Sequence, residues 1–136
     1  MADLTITAAN VAKGTNAAVT STYLAGASIT AGQAVYLDTT TSTMKLADAD
    51  ALASSAAFGI ALNSAATGQP IAVQRSGSIT IGATVATGVA YYVSTTAGGI
   101  CLESDLSTGD FPHFLGFATS TTVIDLNPKA CGVAKA

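Results

Sequence analysis

His113 is the single histidine of the chain and so the one side chain whose ordinary pKa suits proton transfer near neutral pH. It lies in Phe111-Pro112-His113-Phe114, just ahead of a strand pattern. A nucleophilic mechanism would also need a hydroxyl or thiol and an orienting acid beside the ring. Serines and threonines occur throughout the chain and none is singled out, so a turn or interface histidine is the expected role. Cys101 sits in the apolar run Gly99-Ile100-Cys101-Leu102 and is expected to be a buried, reduced thiol. Cys131, in the tail, is expected to be free rather than half of a disulfide.

Other chemistries lack their residues. His113, Cys101 and Cys131 do not have the close spacing of a metal-ligand set. Asp48-Ala49-Asp50 has the outline of half a calcium loop, but Ala51-Leu52-Ala53 follows where further oxygen ligands are required. Helix capping is the expected role of Asp48 and Asp50, and likewise of Asp105 and Asp110. Gly77, Gly82 and Gly88 fall between strand patterns rather than ahead of a helix, so no phosphate cradle is predicted. Eight scattered acids pick out no glycosidase pair. The five basic residues, spread from Lys13 to Lys135 in a chain of net charge −3, make no stripe for nucleic acid. Catalytic, cofactor-binding and metal-binding residues are therefore expected to be none, and the chain is not read as an enzyme.

The elements around these residues are strands. Period-two alternation appears in Leu4-Thr5-Ile6-Thr7, Ala34-Val35-Tyr36-Leu37, Ile71-Ala72-Val73-Gln74, Ser78-Ile79-Thr80-Ile81, Tyr91-Tyr92-Val93-Ser94 and Thr122-Val123-Ile124-Asp125-Leu126. Turn formers separate them, at Ala31-Gly32, Gly68-Gln69-Pro70, Ser76-Gly77 and Gly98-Gly99. β-Branched Thr, Val and Ile favour the pleated surface and disfavour helix. Only the stretch 47–57 reads as helical, with a second capped turn over 104–109.

The chain also echoes itself at an offset of 56 residues, Gly32 falling on Gly88. Ala34/Ala90, Tyr36/Tyr92, Thr39/Thr95, Thr40/Thr96 and Leu46/Leu102 match within that alignment. Each copy then crosses an acidic segment and ends in a glycine-bearing strand, Phe58-Gly59-Ile60-Ala61 or Leu115-Gly116-Phe117-Ala118. A glycine between bulky strand residues predicts a bulge or close packing. The predicted fold is all-β: a compact β-barrel or β-sandwich of two similar β-units, with short helical turns and extended N- and C-terminal segments. The predicted divisions are an N-terminal arm with the first strand (1–18), a β-domain (19–126, with pseudo-repeats at about 32–61 and 88–118) and a C-terminal tail (127–136). The end segments are expected to be ordered by a neighbour.

Composition constrains the surface. Of the 136 residues only 10% are Asp, Glu, Lys or Arg, against an ordinary share of about a quarter. Thr, Ser, Asn, Gln and Ala must then make up the exterior, which points to a chain that covers much of its surface with partners. Met1-Ala2-Asp3-Leu4 carries an acid where a signal peptide needs a basic cluster, and no apolar run is long enough for a membrane helix. Neither secretion nor a membrane partner is expected. The two cysteines suit assembly in a reducing cytoplasm.

The opening Ala2-Asp3-Leu4-Thr5-Ile6-Thr7-Ala8-Ala9-Asn10-Val11 resembles that of tailed-bacteriophage capsid cement (head decoration) proteins. The resemblance continues through Ile29-Thr30-Ala31-Gly32-Gln33-Ala34-Val35-Tyr36-Leu37-Asp38, Gly59-Ile60-Ala61-Leu62-Asn63, Gly68-Gln69-Pro70-Ile71-Ala72-Val73-Gln74 and Ser94-Thr95-Thr96-Ala97-Gly98-Gly99-Ile100. It closes on Leu115-Gly116-Phe117-Ala118-Thr119 and Gly132-Val133-Ala134-Lys135, while Arg75 and 111–114 are individual to this chain. The resemblance implies a virion structural protein without an active site, made in the host bacterial cytoplasm. Such a protein binds the outer capsid surface and stabilises contacts between major capsid protein subunits. It implies self-association too, as a trimer by preference or a dimer. The alternatives are another virion component (head fibre, tail tube or tail fibre part) and a carbohydrate-binding module using Tyr23, Tyr36, Tyr91 and Tyr92.

Overall fold

A computed structural model describes residues 3–15, 18–130 and 133–135. Among them are ten strands, two single-turn 3-10 segments (Ala8–Asn10 and Glu103–Asp105) and one helical turn, α1 (Leu52–Ser55). The strands are β1 (Val11–Lys13), β2 (Val19–Ala25), β3 (Ala34–Asp38), β4 (Thr43–Leu46) and β5 (Gly59–Ala61), then β6 (Pro70–Ile81), β7 (Ala90–Val93), β8 (Ile100–Cys101), β9 (His113–Ala118) and β10 (Val123–Ala130). The chain is all-β, as its alternating patterns predict.

The first unit is a closed ring. β2 pairs with β4, β4 with β3, β3 with β5, β5 with the first half of β6, and β6 returns to β2. The closing step is the parallel pairing of Leu24 with Thr43 and Ala25 with Met44. Closure gives every strand of this unit a neighbour on both sides, although β2 meets β4 only through Leu24 and Ala25. Its interior is filled by Ala25, Val35, Met44, Ala61, Ile71 and Val73. In a ring this small side chains alone occupy the inside.

β6 then runs on into the second unit, where its later half pairs with β10, followed by β9, β7 and β8. The register repeats that of the first unit. Tyr36 faces Lys45 across β3 and β4, and Tyr92 faces Cys101 across β7 and β8, each pair displaced by the same 56 residues. Val35 opposes Gly59 as Tyr91 opposes Gly116. The turn bonds repeat as well: Gly32 N donates to Ala61 O and Gly88 N to Ala118 O, at 2.8 and 2.7 Å. The echo in the sequence is therefore a repeat of backbone pairing.

Gly59 and Gly116 show why the matching strands need glycine. A Cβ on Gly59 would overlap the carbonyl oxygen of Gln74 on β6, and a Cβ on Gly116 would overlap that of Asp125 on β10. The close packing predicted for these positions is an approach of backbone to backbone.

Closure differs between the units. At the offset of the repeat, β2 corresponds to residues 75–81, the later half of β6, but in the second unit the gap beside β8 is filled from the N-terminus. Leu4 N donates to Ile100 O and Thr7 N to Gly82 O, both at 2.8 Å. β1 then pairs antiparallel with β6, Val11 opposite Ile81. Leu4, Ile6 and Val11 pack against the larger core, which holds Ile79, Ile81, Val93, Ile100, Leu115, Ile124 and Leu126. The N-terminal segment, expected to be ordered by a neighbour, is here held by its own chain. The other end is tied down too: β10 continues to Ala130, and Lys135 reaches back to Glu103 Oε1 at 2.9 Å and Leu106 O at 2.7 Å.

The larger core draws on both units, since Ala34, Ala47, Ala57 and Ile60 belong to it. Buried backbone bonds latch the units together beside this core: Ala34 N to Gly98 O at 3.0 Å, Gly98 N to Ala47 O at 2.7 Å and Ala49 N to Ser94 O at 2.9 Å. The helix predicted over 47–57 shrinks to α1. Its N-cap is Ala51, which has no side-chain bond, and Asp48 instead accepts from Asp50 N at 3.0 Å and from Ser54 Oγ at 3.1 Å. The side chain read as a helix cap thus closes a local turn in competition with the helix, and four residues are too few to repay nucleation.

Two outcomes follow from this packing. Gly59→Ala and Gly116→Ala should each lower stability by about 2 kcal/mol, measured by chemical denaturation, because a strand backbone must move to admit the methyl group. Removing the first seven residues should lower the melting temperature and expose the second unit to proteolysis, since Ile100 O and Gly82 O lose their partners; an unchanged melting curve would contradict this closure.

Candidate functional site

His113 opens β9 and is only 5% exposed. Neither of its ring nitrogens has a hydrogen-bond partner. Burial holds its pKa below the ordinary value of 6.5. A neutral, unpartnered imidazole shut inside a β-unit has neither the orienting acid nor the solvent path of a general base. Cys101 is buried beneath the same unit, its Sγ 3.8 Å from Val93 O, and desolvation, reinforced by Asp105 and Asp3, pushes the thiol up to about 12. A thiol so protonated is a poor nucleophile. Cys131 lies outside the described residues.

The acids read as caps hold turns. Besides Asp48, Asp105 Oδ2 accepts from Leu102 N at 3.2 Å and Asp110 Oδ2 from Ser107 N at 2.7 Å. Among the described residues no three of His, Cys, Asp or Glu come close enough to hold a metal ion. Asp38 is engaged by Lys45 at 2.8 Å, and that contact lowers the pKa of the carboxyl and raises that of the ammonium.

The tyrosines do not assemble into one platform. Tyr91 is buried and its hydroxyl accepts from Ala86 N at 2.9 Å. Tyr36 is half-buried against the larger core. Tyr23 meets Phe58 edge-on at 5.4 Å, and Tyr92 meets Phe114 edge-on at 5.8 Å.

Two surface features emerge whose members the sequence did not bring together. One is a ridge of Tyr92, Phe114 and Phe117 on the outside of the second unit, with Phe114 and Phe117 5.1 Å apart and Phe117 54% exposed. Strict alternation would put residues 114 and 117 on opposite faces. A register shift in β9, where Tyr91 opposes Gly116 and Tyr92 opposes Phe114, turns both outward. The second feature is an open groove of about 480 Å3 where the two units meet, lined by Val19, Phe58, Arg75, Ser76, Asn127 and Pro128. The Arg75 guanidinium lies over the Phe58 ring, 4.4 Å from its centroid. Of these residues only Arg75 stood out in the sequence.

Comparisons with family models, with curated proteins and with solved structures find no match to this chain. The reading of its role rests on its residues and their arrangement.

The burial of His113 sets a pH dependence. Unfolding frees the ring to protonate at its ordinary pKa, so the unfolded chain binds the extra proton first as pH falls. The contribution of the neutral ring to stability is complete above pH 6.5 and is lost as pH falls from 6.5 through the lower folded value. Denaturation midpoints measured across that range should fall with pH for the wild type and flatten for His113→Phe; equal slopes would contradict the buried, neutral assignment.

Proposed function

We propose that this chain is a virion structural protein, a capsid cement or decoration protein that binds the outside of a tailed-phage head and stabilises contacts between major capsid subunits. One observation carries the reading: a pair of β-units latched by a shared core presents a hydroxyl-rich, sparsely charged exterior bearing exposed apolar side chains. Val19, Leu24, Leu52 and Phe117 are each about half exposed, at 49, 51, 50 and 54%. Apolar groups on a surface this poor in charge favour coverage by another protein. Two rings held by a common core and cross-unit hydrogen bonds can transmit tension between two points of attachment with little deformation. The sequence resemblance to cement proteins points the same way.

Self-association, as a trimer by preference or a dimer, would add avidity on a repeating lattice. Another virion component, such as a fibre or tube part, would use the same surface. A carbohydrate-binding module is less well supported, because the rings of the ridge meet at 72° and 61° and share no plane on which a sugar could stack.

The test is reconstitution. Purified protein added to heads that lack it should saturate a fixed number of outer sites in a cryo-EM map and raise the temperature at which the heads release DNA. Heads left bare at every salt concentration would overturn the reading.

A further inference from the structure

We propose that the groove between the two units docks an extended segment of a protein partner through an acidic side chain received by Arg75. The proposal deepens the reading above and relies on it only for the partner's identity, a shell subunit.

Arg75 is the chain's only arginine, and it is exposed. Among the described residues the ion pairs are Lys45 with Asp38 and Lys135 with Glu103, and neither takes up Arg75. Its guanidinium is nonetheless held in place, 4.4 Å above the Phe58 ring, and that ring is fixed in turn by its edge contact with Tyr23. Stacking on a ring leaves the in-plane N–H fork free to receive a carboxylate in bidentate fashion, with part of the side-chain entropy already lost.

The backbone around the groove is irregular on both sides. β2 and β6 slip register between Val19 and Thr20, whose partners are Ser76 and Gln74, so Arg75 is the unmatched residue. β10 and β9 slip between Leu126 and Lys129, leaving Asn127 and Pro128 outside the ladder. Two bulges therefore face one groove, one from each unit, and bulges re-aim side chains and interrupt pairing at working surfaces. The groove offers a cation, the amide of Asn127 and apolar walls from Val19 and Pro128. That set suits a peptide with one acidic and one apolar side chain. It suits a sugar less well, because the guanidinium already covers a face of Phe58, and the net charge of −3 makes a nucleic-acid backbone a poor occupant.

Wild type, Arg75→Ala and Arg75→Lys would be added to purified heads lacking the protein at about 50 to 500 mM NaCl, and bound protein measured by sedimentation. Arg75→Ala should bind about tenfold more weakly at low salt and show a shallower salt dependence, with Arg75→Lys between the two. Equal occupancy by Arg75→Ala, with the wild-type salt dependence, would overturn the proposal. A parallel measurement needs no heads: NMR titration of the labelled wild type with a capped alanine–aspartate–alanine tripeptide and with its asparagine counterpart. Shifts at Arg75, Ser76 and Asn127 with the aspartate peptide alone support the groove, and no shifts with either overturn it. If the wild type leaves heads bare while the aspartate peptide still binds, the cement reading falls and the groove stands. Thermal melting of each variant separates loss of docking from loss of fold.

Discussion

The molecule is organised around the double duty of β6. Every strand N–H and C=O must find a partner, and a short sheet can achieve that without exposed edges only by closing on itself. A single twelve-residue strand supplies one wall to each of two rings. The handover falls at Gln74 to Ser78. Gln74 is fully buried, and its Nε2 donates to Ser76 O at 3.1 Å and Ser78 O at 2.7 Å. The side chain thus braces the backbone where it leaves one ladder and joins the next. Gly59 lies against this segment, and its counterpart Gly116 lies against β10, because no larger residue lets the neighbouring strand come close enough.

The arrangement also places the irregular backbone. Two of the three register slips, in β2–β6 and in β10–β9, lie at the seam between the units, and the third, in β7–β9, lies under the aromatic ridge. The seam is where the groove lies and where Arg75 is held on Phe58. The chemistry-bearing residues go the other way: His113 and Cys101 are spent on the interior, and most of the acids whose partners are described close turns.

Much of this could be read from the residues. Period-two alternation marks β3, β6, β7 and β10 but not β2, the turn read at Ser76-Gly77 lies inside an unbroken β6, and the Gly-Ala-Tyr spacing shared by 32–36 and 88–92 predicts two like units with the hairpin register then observed. What escaped depends on non-local pairing. The parallel closure of β2 on β4 leaves no periodic trace, and the alternation of Leu4 to Thr7 does not say that its partner is β8, since both are decided by which strand reaches a vacant edge. Strict alternation would set Phe114 and Phe117 on opposite faces of β9, and the bulge that turns both outward has no mark in the sequence. Asp48 carried a genuine capping signal, but the signal for a cap and the signal for a local turn are the same short side chain.

The N-terminal closure of the second unit gives the chain an order of assembly. The strands of the first unit are all present once residue 81 is made, whereas Leu4, made before any of them, must wait for Ile100, and Asp3 must wait for the hydroxyl of Ser94. A contact spanning so much of the chain forms late, after local pairing has shortened the loop between its ends. The free edge of β8 is therefore covered by a segment that precedes every strand of the second unit, so this ring is sealed by its most distant contact in sequence.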